Sequence, residues 1–231
     1  MIKLINVKKS FNKKSANPIV IFNDLNLEIN TNCFNTILGR SGSGKSTLLN
    51  LIGGIDSPDS GNIYIDDVDI TILKEKEMAL YKNKTIGYIF QRFLLEPSLS
   101  VMDNVCMPLV IRGVEKKKRE EKAIEILKYL KLDDRKDERI TNLSGGECQR
   151  VCIARALISD AKIILADEPT GNLDYESGQE VLDYLKNISK EKTIILITHN
   201  REDAYKYSDY IYELKDGKIL NTYKMGENHE S

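Results

Sequence analysis

Residues 39–47, with the sequence GRSGSGKST, constrain the fold of this chain more than any other segment. They fit the phosphate-binding pattern G-x-x-x-x-G-K-[ST] and lie between a short apolar strand at 35–38 and a helical apolar pattern at 48–55. Glycines let successive backbone N–H groups turn toward phosphate oxygens, and a helix beginning near Lys45 adds its positive end. Lys45 can reach the β- and γ-phosphates of a nucleotide, and Ser46 can ligate Mg²⁺. We therefore expect a nucleotide-phosphate site in an α/β protein.

The length and charge of the chain limit its possible functions. Its 231 residues allow one large α/β domain, or two closely joined subdomains, around a sizeable core. The formal net charge of −1 provides no electrostatic attraction to nucleic acid, so we expect no nucleic-acid partner. No apolar run approaches the ~20 residues needed to span a bilayer. The first residues lack the long apolar segment of a secretory signal, so we expect no such signal.

The four cysteines, Cys33, Cys106, Cys148 and Cys152, form no paired framework in the sequence. Without an export signal, reduced cytosolic thiols are expected. Cys148 and Cys152 lie one helical turn apart, a spacing that a metal site could use. Because neither histidine nor a second cysteine pair lies nearby, we favour buried, inert thiols.

The pattern of apolar residues changes twice along the chain. Short strands are expected first, then a helical and charged region from about 75 to 139, and after residue 140 an α/β pattern again. One amphipathic helix is expected, with an apolar stripe of Ala123, Ile126, Leu127 and Leu130 and with the charged run 115–122 on its solvated face. The sequence Asp216–Gly217 predicts a hairpin turn, and the tail from Gly226, with His229, is expected to be frayed. The expected strands lie at 2–7, 19–22, 25–29, 35–38, 61–65, 163–166, 194–197, 210–214 and 218–223.

Polar residues follow two continuous apolar strands that are expected to be buried on both faces. Asp167 and Glu168 follow the strand at 163–166, and His199 follows the strand at 194–197. Open α/β sheets bind ligands at the carboxyl ends of their strands. There Asp167 would hold Mg²⁺, and Glu168 would orient or deprotonate an attacking water. An ordinary strand-end turn before Pro169 is the alternative.

Residues 143–150, LSGGECQR, indicate a helix N-terminus with unusual glycines. Ser144 and Glu147 have the spacing of a capping box. Gly145 and Gly146 would each cost ~1 kcal/mol relative to alanine in a helix, so a close approach to the backbone is expected there. A helix N-terminus with an unhindered backbone and a serine hydroxyl can bind an anion, which makes this the second phosphate site of the chain.

Together these segments resemble the ATP-binding cassette (ABC) family, and the resemblance covers essentially the whole chain. The matching motifs are the Walker A loop at 39–47, a Q-loop glutamine at Gln91, the signature LSGGE at 143–147, Walker B at 163–168, a D-loop aspartate at Asp174 and a switch histidine at His199. The family implies a P-loop NTPase (RecA-like) α/β core with an antiparallel β subdomain and a helical signature subdomain. For this chain that predicts a core at 1–84 and 160–231, and a Q-loop and helical subdomain at 85–159.

The resemblance also implies roles for individual residues. Glu168, His199, Gln91 and Lys45 would be catalytic, and Ser46, Gln91 and Asp167 would ligate Mg²⁺. Phe11 would stack on adenine, although the family usually has tyrosine there and a core phenylalanine is the alternative. Cys148 stands where close relatives usually have glutamine. The residues implied to contact ATP are Phe11, Gly39, Ser41, Gly42, Ser43, Gly44, Lys45, Ser46, Thr47, Ser144, Gly145, Gly146 and Asp174.

Residues 90–109, FQRFLLEPSLSVMDNVCMPL, resemble one branch of the family, which contains macrolide exporters, lipoprotein-release ATPases, bacitracin-type peptide exporters and a cell-division ATPase. The resemblance implies an ATPase that pairs with a second copy of itself around two ATP molecules. It also implies a transmembrane permease partner at the cytoplasmic face of the membrane, with export or efflux of a peptide, antibiotic or lipoprotein. A soluble ABC ATPase without a transport role, or a cell-division signalling ATPase, is the alternative.

Overall fold

The computed structural model describes residues 1–14 and 17–226, so the expectation for the tail after Gly226, including His229, lies outside the described residues. The described residues form two compact units, with the chain divided into Met1–Lys82 with Ser189–Ser231 and Asn83–Ile188. The strands are β1 (Ile2–Phe11), β2 (Ile19–Ile29), β3 (Phe34–Leu38), β4 (Ser60–Ile65), β5 (Val68–Asp69), β6 (Ile86–Ile89), β7 (Ile163–Asp167), β8 (Thr193–Thr198), β9 (Tyr210–Lys215) and β10 (Lys218–Lys224). The α-helices are α1 (Lys45–Ile52), α2 (Glu75–Thr85), α3 (Val101–Ile111), α4 (Lys116–Tyr129), α5 (Gly145–Leu157), α6 (Tyr175–Ile188) and α7 (Arg201–Tyr207).

The first unit contains an antiparallel sheet in the order β2-β1-β4-β5. We expected two short strands at 19–22 and 25–29, but they form one continuous strand, β2. Phe22 and Leu25 are both buried although they lie three residues apart. A regular strand would place them on opposite faces, but the pairing with β1 shifts between Val7 and Lys9, which adds a bulge to β2. The bulge keeps both side chains in the core.

The first unit also contains parallel strands, with β3 between β8 and β9. All residues of β3 and β8 are buried. For the apolar run at 194–197 in β8, burial on both faces is confirmed as the sequence predicts. Leu38 at the end of β3 pairs with Thr198 at the end of β8. The loop after β3 and His199 therefore leave the sheet at the same edge.

The hairpin of β9 and β10 completes this unit and is confirmed where the sequence predicts it. Asp216 and Gly217 both have a positive φ, of 47° and 73°. Two successive left-handed residues match the right-handed twist of the flanking strands, which is why an Asp-Gly pair favours such a turn.

The second unit is built around α5, which contacts α3, α4, α6 and β6. Strand β6 pairs in parallel with β7, with Ile86 opposite Ile163. We did not predict β6, because its four residues, IGYI, lie within a long helical and charged region. Helix α5 approaches β6 so closely that a Cβ on Gly87 would lie 2.6 Å from the carbonyl oxygen of Ala156.

Two smaller expectations can also be compared with the structure. The amphipathic helix is confirmed as α4, whose Ala123 and Leu127 are buried. Cys106, Cys148 and Cys152 are buried too, and burial raises the pKa of each thiol. Within residues 1–14 and 17–226, no helix is both long enough and apolar enough to cross a membrane.

Candidate functional site

The glycine-rich loop at 39–47 lies between β3 and α1, as the sequence predicts. Gly44 has a φ of 101°, and a Cβ there would lie 2.9 Å from Ile21 Cγ2 and 3.1 Å from the Phe22 ring. Gly39 is also restricted, because a Cβ there would lie 2.4 Å from the carbonyl oxygen of Leu214. The loop is therefore held against β2 and β9, and larger side chains are excluded at both positions.

Lys45, the first residue of α1, turns back over this loop. Its ammonium group donates hydrogen bonds to the carbonyl oxygens of Gly39, at 2.8 Å, and Arg40, at 3.0 Å. The side chain is buried, with 6% of its surface exposed. This places a positive charge inside the loop, where an anion could bind it with little competition from water.

The hydroxyl group of Ser43 is a second sign of a ligand site in the loop. Its Oγ atom is buried and has no hydrogen-bond partner in the described part of the chain. A buried polar group without a partner costs free energy, so such groups often mark a place where a ligand or water binds. Together with Lys45 and the backbone N–H groups at the start of α1, this hydroxyl fits a bound polyphosphate.

A cleft of about 700 Å³ opens beside the loop in the first unit. His199, which follows β8, lines it together with loop residues 38–43. Arg201 also lines the cleft and lies 3.5 Å from the carboxylate of Glu213 on β9. The structure thus brings His199 to the glycine-rich loop, as the shared edge of β3 and β8 predicts. Arg201 and Glu213 were not predicted, since their positions carry no motif.

Phe11 lies at the end of β1, opposite Ile19 of β2. Its side chain is 40% exposed, so the alternative of a core phenylalanine is wrong. Two residues beyond Ile19, Ile21 is the residue that a Cβ on Gly44 would meet. The aromatic ring is therefore carried by the same pair of strands that supports the glycine-rich loop.

In the second unit, Asp167 and Glu168 lie at the carboxyl end of β7, as predicted. Glu168 has a φ of 42°, a left-handed conformation that is uncommon for a residue with a side chain. Its carbonyl oxygen accepts a hydrogen bond from the N–H of Gly171 at 3.1 Å, which closes a tight turn. Burial, and then the charge of Asp167, raise the pKa of Tyr88 on β6.

Gln91 lies beside this turn. Its carbonyl oxygen accepts a hydrogen bond from Asn172 Nδ2 at 2.9 Å. A Cβ on Gly171 would lie 3.2 Å from Gln91 Nε2. The structure therefore brings the predicted Q-loop glutamine to the turn that carries Glu168. The contact with Asn172 could not be predicted, because the two residues are 81 positions apart in the sequence.

Helix α5 begins with the predicted capping box. Ser144 Oγ accepts a hydrogen bond from the Glu147 N–H at 3.2 Å, and the Glu147 carboxylate accepts one from the Ser144 N–H at 2.8 Å. This second bond is the main reason that the pKa of Glu147 lies below its ordinary value. Ser144 and Gly145 are exposed, so a ligand or partner could reach both.

The two glycines of the signature have different surroundings. Gly146 is buried, and a Cβ there would lie 3.0 Å from Ser177 Oγ on α6, so contact with α6 explains this glycine without a ligand. Gly145 is exposed, and a Cβ there would lie 3.3 Å from Leu173. Asp174 accepts hydrogen bonds from the N–H and hydroxyl of Ser177, at 2.9 and 2.8 Å. Asp174 thus caps α6, and these bonds lower the pKa of its carboxyl.

Residues 93 and 94 are fastened to α5 by contacts that we did not predict. Cys152 Sγ lies 3.0 Å from the carbonyl oxygen of Phe93, and Arg155 donates to the carbonyl oxygens of Phe93 and Leu94, at 3.1 and 2.7 Å. Leu94 itself is 60% exposed and has a φ of 45°. The segment after Gln91 is thus held in one conformation while presenting an apolar side chain outward.

This combination of fold and motifs defines a family. The model of the ABC transporter family matches residues 22–171, and the chain belongs to this family. The macrolide export ATP-binding/permease protein MacB of Brucella melitensis is 40% identical over 96% of this chain, which spans 34% of MacB. The lipoprotein-releasing system ATP-binding protein LolD of Syntrophus aciditrophicus is 40% identical over 95% of this chain and 99% of its own length.

The fold is shared with a solved structure, the ATP-binding cassette MJ0796 of Methanocaldococcus jannaschii. That structure is a dimer in a post-hydrolysis state, bound to ADP and Pi. The TM-score is 0.88 at 37% identity, and the match covers 97% of this chain and 98% of the other. The family and the fold class predicted from the sequence are therefore confirmed.

Proposed function

We propose that this chain binds and hydrolyses ATP as the nucleotide-binding subunit of an ABC transporter, and so powers a separate membrane permease. Its function would be the export or efflux of a peptide, an antibiotic or a lipoprotein. The observation that carries the proposal is the loop at 39–47. There the buried Lys45 ammonium is held on the carbonyl oxygens of Gly39 and Arg40, and the buried Ser43, whose hydroxyl has no partner among the described residues, lines a cleft of about 700 Å³. A structural turn would need neither a buried charge nor a buried hydroxyl without a partner.

ATP would be held through its phosphates by the loop and through its adenine by Phe11. Lys45 and the N–H groups at the start of α1 would bind phosphate oxygens, with His199 near the γ-phosphate. The proposed ligands for Mg²⁺ are Ser46, Gln91 and Asp167, whose oxygen atoms suit this hard cation, and the bound ion would neutralise phosphate charge.

Hydrolysis would require one positioned water. The water oxygen attacks the γ-phosphorus, the bond from the γ-phosphorus to the bridging oxygen of ADP breaks, and phosphate leaves. Glu168 would orient this water or accept its proton. Its left-handed backbone, at a φ of 42°, supports this role, because strained conformations persist where the surrounding structure fixes a functional side chain. The nearby Gln91 would contact the same water.

A second copy of the chain would complete each site. Ser144 and Gly145 are exposed at the N-terminus of α5, where an anion from a partner subunit could bind. A two-fold dimer would then contain two equivalent sites, each formed by the glycine-rich loop of one copy and the signature of the other. The dimeric state of the solved relative MJ0796 supports this arrangement.

The permease would contact residues 90–109, at the cytoplasmic face of the membrane. Leu94 supports this assignment, since it exposes an apolar side chain on a left-handed backbone, and such strained conformations concentrate at functional contacts. The name of LolD, an ATP-binding protein of a lipoprotein-releasing system, supports an ATP-binding subunit that is distinct from its permease. In this proposal, residues 1–84 and 160–231 form the catalytic core, and residues 85–159 form the Q-loop and signature subdomain.

Co-purification tests the transport role. The tagged chain is expressed in its native organism, and the lysate is separated into soluble and membrane fractions. The membranes are solubilised in mild detergent, and ATP hydrolysis is measured in both fractions. We expect the chain to be recovered with a membrane protein in a fixed ratio, with ATP hydrolysis in that fraction. Recovery of all ATPase activity in the soluble fraction would instead support a soluble ABC ATPase without a transport role.

A further inference from the structure

Lys9 is a buried charged residue near the end of β1. Only 7% of it is exposed. Its ammonium group lies 2.6 Å from the carboxylate of Asp56 and donates a hydrogen bond to the carbonyl oxygen of Ser57 at 2.9 Å. Burying an ammonium group is costly unless it is paired, and these two contacts fix its position as well as pairing it.

The same ammonium group lies over the ring of Phe11, 4.9 Å from the ring centroid. This distance is within the range in which a cation is attracted to the face of an aromatic ring. Lys9 and Phe11 are two residues apart in one strand, so their side chains leave the same face of the sheet. Lys9 is buried whereas Phe11 is 40% exposed, so the ring contacts the cation and also remains accessible to a ligand.

Hydrogen bonds also hold the backbone at Ser10, the residue between Lys9 and Phe11. Ser10 donates hydrogen bonds to the Asp59 carboxylate from its N–H, at 2.8 Å, and from its hydroxyl, at 2.6 Å. Asp59 pairs further with Lys13 at 2.6 Å. The backbone that carries Phe11 is therefore tied to the turn before β4. These contacts fix the backbone position from which the Phe11 ring extends.

We propose that Lys9 is a positioning residue for the nucleobase: it holds the Phe11 ring and increases the affinity of that ring for adenine. The inference rests on the proposed function, in which Phe11 stacks on adenine. A fixed ring loses less conformational entropy when the base binds. The ammonium group also draws the ring's electron density toward itself, so the opposite face becomes less negative and stacks better on an electron-rich purine.

The experiment separates base binding from phosphate binding. The affinities of the full chain for Mg-ATP and for Mg-tripolyphosphate, which has no base, are measured by calorimetry. The variants are Lys9→Met, Phe11→Ala and the double variant. Because Lys9→Met leaves Asp56 without its ion pair, Lys9→Met with Asp56→Asn is the second form of the test. Lys3→Met is the matched control, since Lys3 lies on the same strand, about 20 Å away, and pairs with Glu28 at 3.0 Å.

We expect Lys9→Met to weaken ATP binding about two- to fivefold, the range of an exposed cation–π contact, and to leave tripolyphosphate binding unchanged. In the Phe11→Ala background, Lys9→Met should cause no further loss. Lys3→Met should bind both ligands like the original chain.

Three outcomes would overturn the inference. An equal loss for tripolyphosphate would make Lys9 a general electrostatic residue. A loss that persists without the Phe11 ring would show that Lys9 does not act through it. An unchanged ATP affinity in Phe11→Ala would show that the Phe11 ring does not contribute to binding the base. Failure of the original chain to bind either ligand is a different result, which contradicts the proposed function.

Discussion

The ammonium group of Lys45 lies 2.8 Å from the carbonyl oxygen of Gly39, so the first residue of α1 is bonded to the loop residue that follows β3. The Lys45 side chain thereby joins the two ends of the glycine-rich loop and places its positive charge inside the loop. A phosphate that enters the loop would offer the ammonium an anionic partner in exchange for a neutral carbonyl. Charge-assisted hydrogen bonds are shorter and stronger than neutral ones, so this exchange favours binding.

Replacing Lys45 should therefore weaken nucleotide binding itself. A hydrogen bond to a charged group contributes roughly 1.5–3 kcal/mol, which corresponds to roughly a tenfold to hundredfold loss of affinity in Lys45→Ala. Titration with a fluorescent ATP analogue measures it. Lys8→Ala, which removes an exposed lysine of β1, is the control and should bind normally. Equal affinities of the original chain and Lys45→Ala would contradict the phosphate site.

Replacing Glu168 should separate binding from hydrolysis. Glu168→Gln keeps the size of the side chain but cannot accept a proton, so hydrolysis should fall about a hundredfold or more, as expected for loss of a general base. ATP affinity should be retained, and the trapped nucleotide should hold two subunits together. Phosphate release measures the first effect, and size-exclusion chromatography in Mg-ATP measures the second. Glu125→Gln on the exposed face of α4 is the control. Full turnover in Glu168→Gln would exclude Glu168 as the base.

Much of the site could be predicted because its residues lie in short contiguous motifs. Each of these motifs reflects what the local backbone requires. They are the glycines at 39–47, the capping box of Ser144 and Glu147, and the acidic residues at the end of β7. Strand β6 was missed because four apolar residues within a charged region are too few to show a period. The bulge in β2 was missed because it depends on pairing with β1.

The remaining contacts could not be predicted because they join distant segments. Lys9 meets Asp56 across 47 positions, and Arg155 meets Leu94 across 61. No periodicity or motif relates such pairs. Gly146 is a case in which the sequence predicted part of the contact. The sequence indicated a close approach at this glycine, and the structure shows that Ser177 makes it. A local pattern can thus indicate that a position is crowded without identifying what approaches it.

Leu94 should matter for membrane association and little for the isolated subunit. Aspartate tolerates a left-handed backbone better than leucine, so Leu94→Asp should fold normally while it places a charge in the proposed permease contact. We expect the free energy of unfolding to change by no more than about 0.5 kcal/mol, as is usual for a surface change. The basal ATPase activity should be retained, and recovery in the membrane fraction should be lost. Leu80→Asp is the matched control, because Leu80 is 54% exposed on α2, outside residues 90–109. Normal membrane recovery of Leu94→Asp would exclude Leu94 from the contact.

The capping box at α5 should make stability depend on pH. The hydrogen bond from the Ser144 N–H lowers the pKa of Glu147 from its ordinary value of 4.5. Because the pKa of Glu147 is lower in the folded state than in the unfolded state, the carboxylate makes its full contribution to stability above the ordinary pKa of 4.5. This contribution is lost as the pH falls through the pKa of the folded state. Glu147→Gln should lower the free energy of unfolding by about 0.3–1 kcal/mol at neutral pH. This difference should shrink in acid, as urea unfolding at a series of pH values can measure. A difference that stays constant with pH would show that the charge of Glu147 is not involved.

The central claim is that each ATP site is shared between two copies of the chain. Two variants that are inactive for different reasons should then complement each other. Lys45→Ala disrupts the glycine-rich loop, and Ser144→Arg places bulk and charge at the start of α5. Each variant alone forms a dimer with two defective sites. A mixed dimer has one site with both defects and one intact site, which takes its loop from the Ser144 variant and its signature from the Lys45 variant.

The most direct measurement is a pull-down of untagged Ser144→Arg by tagged Lys45→Ala, with and without Mg-ATP. Pairing is the clearer readout, because turnover stays low if both sites must be intact for hydrolysis. We predict that Mg-ATP increases the recovery of the mixed pair well above that of either variant with itself. If ATP never increases mixed pairing above the pairing of either variant alone, the shared-site account is wrong for this protein.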